Sequence, residues 1–254
     1  MSGTLFYCDA HFHAVQCRDW QDDFAAGHFC AVSCAHDVDE YYAQEKLLSL
    51  YADSLWSAFG MHPQNPLVQN AVFLETLLQE KKIIAIGETG FDFFTPAFRS
   101  DRIRQEEAWD ISKKLAQRYQ VPLIVHNRKA LDLLFRDSRE LSRVPGIIFH
   151  SFAFGVREAL SLLNHQIDAY FSFGKPLLNG NKKSIACVSS LPLDRILLET
   201  DAPFQTLQGE AYTKPAEIIR VYQEAGRLRN MELEELCPLI RQNFNAAYRI
   251  LSAS

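Results

Sequence analysis

Eight short apolar runs constrain this chain more than any other feature of its sequence. They are Leu5–Asp9, Phe29–Cys34, Leu55–Gly60, Ile83–Gly87, Pro122–His126, Gly146–His150, Ala169–Gly174 and Ile196–Asp201. Each is nearly continuous in apolar residues rather than alternating, as strands read when helices cover both faces of a parallel sheet. The stretches between them carry helical patterning. Ser100–Tyr119 sets Ile103, Ala108, Ile111, Leu115 and Ala116 on about one face. Asp37–Tyr51, Val68–Lys81, Lys129–Leu141, Val156–Asn164 and Ala216–Leu228 read as further helices, and Glu232–Leu251 as a final one. Trp20–Gly27 fits a short helix closed by Gly27, while Asn179–Ser189 opens polar and is ambiguous. Eight strand–helix alternations in 254 residues are the arithmetic of a (β/α)8 TIM barrel. The competing arrangement is an open doubly wound sheet. No repeat, low-complexity tract or linker divides the chain, so a single domain over 1–254 is expected.

Composition narrows the function classes. Hydrophobic residues at 48% and charged residues at 22% are ordinary for a globular protein and exclude a disordered chain. The apolar runs are far shorter than the roughly 20 residues of a membrane helix, and the N-terminus lacks a signal-peptide pattern. A cytoplasmic protein with no membrane partner is therefore expected. The six cysteines form no C-x-x-C pair; Cys30 and Cys34 lie in the apolar run FCAVSC and read as buried free thiols. A net charge of −5 argues against a broadly basic nucleic-acid coat, though not against a small positive cleft.

In a barrel, functional residues gather at the C-terminal ends of the strands. His11, His13, His62, Glu88, His126, His150 and Asp201 all fall there, at six of the eight strand ends. His28, His36 and His165 lie off these positions, His36 just beyond the second strand. A lone histidine beside an apolar run is usually structural, but five on one rim with two carboxylates point to a metal site. His11 and His13 are two apart, so on an extended chain they face the same side. Imidazoles with carboxylates suit borderline divalent ions, and two ions would use the whole set if one carboxylate bridged them. Asp9 reads as a residue that orients ligands, and Glu199 as a buried carboxylate one layer deeper.

The motifs DAHFH, GMHP, IGETGFDFF, PLIVHNRKA, FHSFAFG and LPLDRILLETDAP occur in that order. Together with NFNAAYRIL near the C-terminus, they resemble the TatD family of metal-dependent deoxyribonucleases, within the amidohydrolase-like barrels. The resemblance implies two divalent ions (Zn2+, Mn2+ or Mg2+). His11, His13, Glu88 and Asp201 would hold the first; a bridging Glu88, His126 and His150 would hold the second. It implies a 3′-5′ exonuclease that cleaves single-stranded DNA ends with a metal-activated water. Asp201 and Glu88 would be catalytic, Asp201 taking the water's proton. His62 would be catalytic and contact substrate, and Arg128 would bind a phosphate. The segment Gln205–Pro215, QTLQGEAYTKP, departs from the family's Arg-rich loop, with Lys214 its sole cation.

Positive charge near the rim is expected from Arg99, Arg102, Arg104, Arg128, Lys129, Lys175, Lys182 and Lys183. Phe12, Phe93, Phe94, Phe152, Phe154 and Phe204 flank the motifs, where core packing competes with base stacking. The other functions compatible with the ligand set are an ester or amide hydrolase, such as a D-aminoacyl-tRNA deacylase, and a non-catalytic metal-binding partner protein. The expected assembly is a monomer.

Overall fold

A computed structural model of the chain describes residues 4–18, 20–25, 28–52 and 54–250. Eight parallel strands pair in chain order into one sheet: β1 (Tyr7–Phe12), β2 (Phe29–Ala35), β3 (Leu55–Phe59), β4 (Ala85–Asp92), β5 (Leu123–Arg128), β6 (Ile147–Phe149), β7 (Ala169–Phe173) and β8 (Ile196–Leu198). The sheet curls into a barrel whose seam is tied by the Asp201 N–H to the His11 carbonyl at 2.9 Å and the His13 N–H to the Ala202 carbonyl at 2.8 Å. Lower in the seam, the Tyr222 hydroxyl accepts from the Cys8 N–H and donates to the Cys8 carbonyl, filling in for a neighbouring strand. The barrel expected from the eight apolar runs is thus the fold observed.

The helices are α1 (Gln21–Ala25), α2 (Val38–Leu48), α3 (Ala71–Gln79), α4 (Pro96–Ser100), α5 (Arg102–Tyr119), α6 (Leu131–Arg136), α7 (Ser138–Leu141), α8 (Val156–Asn164), α9 (Lys182–Ser190), α10 (Ile218–Arg229) and α11 (Leu233–Tyr248). The ambiguous stretch Asn179–Ser189 is helical because the Asn181 side chain caps it, accepting from the Lys183 and Ser184 N–H groups. The helix read over Lys129–Leu141 divides into α6 and α7 at Asp137, whose carboxylate is engaged by Trp109, Lys113 and Arg136. Gly27, expected to close the first helix, and Leu251, at the end of the last, lie outside the described residues.

The strand residues sort into two sets. Phe12, Ala31, Phe59, Ile86, Leu123, Ile147, Phe171 and Ile196 pack outward with the helices. Cys8, Ala10, Cys30, Val32, Cys34, Ala58, Ala85, Ile124, Ile148, Tyr170 and Leu197 fill the barrel. Phe244, Ala247 and Tyr248 of α11 close its floor, and the Tyr248 hydroxyl donates to the Ala10 carbonyl. The six cysteines are free thiols, all buried except the partly buried Cys17. Among the described residues no helix is long and apolar enough to cross a membrane.

Four strands run past their expected ends, β2 and β5 by one or two residues and β1 and β4 by more. β1 continues through DAHF and β4 through GETGFD, and each carries a bulge. In β1, the three steps from Asp9 to Phe12 face the two from Ala31 to Ser33; in β4, the three from Ile86 to Thr89 face the two from Leu123 to Val125. An extra residue on one strand reverses the alternation beyond it. Without the bulges, His11 and His13 would share the outer face with Tyr7, and Glu88 with Ile86. With them, all three turn into the barrel. The β4 bulge relies on Gly87, where a Cβ would stand 2.4 Å from the Ile124 Cβ.

Candidate metal centre

In β5, β6 and β8 plain alternation delivers the inward residues: Ile124 then His126, Ile148 then His150, Leu197 then Glu199 and Asp201. Together with the bulged strands they converge on Glu88, a buried carboxylate whose two oxygens face different histidines. Oε1 lies 3.3 Å from His11 Nε2 and 3.5 Å from His13 Nε2; Oε2 lies 3.2 Å from His126 Nδ1 and 2.6 Å from His150 Nε2. Asp201 Oδ1 is 3.4 Å from both His11 Nε2 and His13 Nε2, and those two nitrogens are 3.2 Å apart.

These separations test whether the residues fit a cation. Ligands about 2.0–2.1 Å from one ion at tetrahedral angles stand about 3.3–3.4 Å apart. The group of His11, His13, Glu88 Oε1 and Asp201 matches that edge length at all five distances just given. A second group, Glu88 Oε2, His126 Nδ1 and His150 Nε2, is tighter, with edges of 3.2, 3.1 and 2.6 Å. It offers a three-point face that leaves room for water or substrate. The chain therefore carries histidine and carboxylate groups able to hold metal ions.

The neighbours set which atoms face inward. His126 Nε2 lies 3.0 Å from Asp92 Oδ2, which puts the ring proton on Nε2 and leaves Nδ1 free. Asp92 also accepts from the Gln64 side chain and the Phe94 N–H, both at 2.8 Å. His11 Nδ1 sits 3.3 Å from the Cys34 thiol, so that cysteine is a polar neighbour of the site as well as core filling. Asp9 accepts from the Thr200 N–H and hydroxyl and from the His11 N–H, fastening β1 to the end of β8. Burial raises the Asp9 carboxyl to about 7. Burial also raises Glu199, which accepts from the Ser151 N–H at 2.7 Å, to about 8. Glu88 stays well below the ordinary carboxylate range: burial pushes it up, but His150, His62 and His11 outweigh that.

Three site residues escaped the sequence reading. His36 continues the inward alternation Cys30, Val32, Cys34 one step past β2. Its Nε2 is buried without a hydrogen-bond partner, 3.2 Å from Glu88 Oε1. Its backbone N–H is fixed by Glu40 at 2.7 Å. Asp92 lay in the motif but beyond the expected strand end. Gln205, the first residue of the unusual loop, donates to Asp201 Oδ2 at 3.1 Å and to the Ser151 hydroxyl at 2.9 Å. Nothing local in the sequence around Gln205 signals those contacts.

His62 lies 3.5 Å from Glu88 Oε2, on the pocket wall. The Gln64 N–H points at its Nδ1 from 3.2 Å, so the neutral ring carries its proton on Nε2. Burial keeps the ring neutral by lowering its pKa to about 3. Arg128 is exposed at the pocket's edge. The pocket, about 310 Å³, also takes in His13, His36, Glu88, His126, His150, Asp201 and Phe204. The expected rim charge is smaller than the sequence suggested. Lys175 is buried against Glu210 and Glu217, and Arg102 is paired with Glu106.

A family model for TatD-related DNases matches residues 8–249. The chain belongs to the TatD family. The TatD relatives include the uncharacterized metal-dependent hydrolase YabD of Bacillus subtilis, 29% identical over 78% of this chain and 79% of that one. The 3′-5′ ssDNA/RNA exonuclease TatD of Edwardsiella piscicida is 28% identical over 80% and 82%, respectively. Among solved structures, the TatD homologue YjjV of Escherichia coli superposes with a TM-score of 0.82 at 24% identity, covering 96% of this chain and 98% of its own. As a TatD protein, the chain is a metal-dependent hydrolase.

Proposed function

We propose that the chain is a two-cation phosphodiesterase that removes nucleotides from the 3′ end of single-stranded DNA. The observation that carries this reading is the divided use of Glu88, one oxygen facing His11 and His13 and the other His126 and His150. A carboxylate placed this way suits a bridge between two closely spaced ions. Such a pair activates a water and neutralises charge on a phosphoryl group. The exonuclease names carried by relatives such as the Edwardsiella protein support the choice of substrate.

The side chains then divide the work. His11, His13 and Asp201 would hold one cation, His126 and His150 the other, and Glu88 both. Asp201, with Oδ2 held by Gln205, would be the carboxylate that accepts the water's proton. His62 offers its Nε2–H to a phosphoryl or leaving oxygen, a donor of fixed tautomer on the half-buried pocket wall. Arg128 forms no ion pair among the described residues, which leaves its guanidinium for a substrate phosphate.

The deciding experiment measures metal content together with time courses on 3′- and 5′-labelled single-stranded DNA. Misacylated tRNA and small carboxylic esters are run beside them. The expected result is about two ions per chain and metal-dependent shortening from the 3′ end. Full activity in chelated protein, or a higher kcat/KM on the acyl substrates, refutes the proposal.

A further inference from the structure

The chain has 18 phenylalanines, and among the described residues two of them are exposed: Phe94 at 56% and Phe204 at 47%. Both lie on the catalytic rim. Of the other aromatics flanking the motifs, Phe12, Phe93 and Phe152 are buried and Phe154 is half-buried in the core. Phe94 follows β4 beside the end of β5, and Phe204 follows β8 and lies against His13 of the β1 end, ring centroids 5.2 Å apart. In an eight-stranded barrel with strands in chain order, these places are half a turn apart, with Glu88 and the pocket between them.

Each ring is anchored to a carboxylate residue of the site. The Phe94 N–H donates to Asp92 Oδ1 at 2.8 Å, and the Phe204 N–H to the Asp201 carbonyl at 2.7 Å. The two ends differ in charge. Lys129 Nζ stands 4.5 Å and the Arg128 guanidinium 5.5 Å from the centroid of Phe94, and both cations are exposed and outside any ion pair among the described residues. A solvent-facing ring with two exposed cations beside it, outside any ion pair among the described residues, matches a nucleotide, whose base stacks on the ring while its phosphates meet the charges.

We propose that Phe94 and Phe204 form a two-point clamp for unpaired nucleic acid. One base stacks on Phe94, with the adjoining phosphates at Arg128 and Lys129. A second stacks on Phe204, and the backbone between them crosses the metal centre. This rests on the phosphodiesterase reading and adds the residues that select a base-bearing single strand over other phosphodiesters.

The test compares metal-loaded wild type with Phe94→Ala and Phe204→Ala. Anisotropy measures binding of labelled oligothymidylate and of an abasic strand of equal length. Turnover is followed on oligothymidylate and on bis(4-nitrophenyl) phosphate, which carries no base. Each variant is expected to lose about tenfold in oligothymidylate affinity and kcat/KM. Abasic-strand binding, metal content and Tm should stay at wild-type values in both variants, and turnover of the small diester should stay so in Phe94→Ala, whose ring lies outside the pocket lining. Wild-type oligothymidylate affinity in both variants overturns the clamp, as does an equal loss on both strands. If wild type binds oligothymidylate through the rings but cleaves neither diester, the phosphodiesterase reading fails and the clamp stands. If wild type does not bind the oligonucleotide, the clamp fails.

Discussion

Asp92 satisfies three donors with two oxygens, and asparagine cannot do so in either orientation. Oδ2 accepts from His126 Nε2–H and from the Gln64 side-chain amide, while Oδ1 accepts from the Phe94 N–H. If the asparagine amide group takes the Oδ2 place, it meets two donors; if it takes the Oδ1 place, it meets the backbone N–H. The least costly relief at the Oδ2 end is a tautomer shift that moves the His126 proton to Nδ1. That is the nitrogen 3.2 Å from Glu88 Oε2 and 3.1 Å from His150 Nε2, so the shift blocks the ligand atom of the second cation group. Loss of such a supporting partner weakens metal binding by about 10- to 100-fold, or roughly 1.4–2.7 kcal/mol. For Asp92→Asn, we expect the second cation to be weakened by that factor in a metal titration of apo protein. The first cation, which on the proposed reading His11, His13, Glu88 and Asp201 would hold, should keep wild-type affinity. Equal weakening at both positions, or none at either, refutes the reasoning.

Chelation should abolish hydrolysis. It should also lower Tm by about 11–22 °C, since each of the two ions at 100 times its Kd contributes roughly 2.7 kcal/mol and each kcal/mol is worth about 2–4 °C in a chain of this size; differential scanning fluorimetry with and without EDTA checks it. His36→Gln is expected to reduce kcat/KM on the small diester on the order of 10²-fold with both ions retained, because it removes the pocket imidazole nearest Glu88 Oε1; unchanged kinetics would exclude His36 from the chemistry. Asp137→Asn should cost about 2 kcal/mol in urea unfolding at pH 7, because it removes the buried carboxylate shared by Lys113, Arg136 and Trp109 while Lys113 keeps Glu140 and Asp110. Burial opposes ionisation of Asp137, but Arg136, Lys113 and Trp109 outweigh it and hold its pKa at about 2. With the folded pKa below the unfolded one, this stabilisation is present above pH ~4 and fades as the pH falls toward 2, so the wild type–variant gap should narrow over that interval.

The eight runs disclosed the barrel because strands buried on both faces leave a compositional mark whatever their partners. The metal-facing residues of β5, β6 and β8 were legible for a related reason: strict alternation carries the inner face of Ile124 to His126 and of Ile148 to His150. The same rule reaches His36 from Cys34, and it was missed because the strand was ended one step early. β1 and β4 differ. Their bulges depend on the register of neighbouring strands, which no local pattern records, so His11, His13 and Glu88 were identified by residue type and position while the reason they face inward was not. Gln205 and the burial of Lys175 depend on how a loop folds back over the rim, a tertiary event without periodicity.

The two bulges also separate the fold's tolerance to change from the site's. Each acts as a one-residue phase shift: everything before it keeps time with the lower barrel, and everything after it with the metal centre. Deleting Ala10 would remove the bulge and spare the centre: plain alternation would then run Cys8 in, Asp9 out, His11 in, Phe12 out and His13 in, with Phe12 still facing Ser33. Deleting Phe12, one step past the bulge, would instead set His11 and His13 side by side and turn His13 toward the helices without altering it. In this chain the place of a one-residue deletion relative to the bulge, not its size, decides whether the barrel keeps its centre.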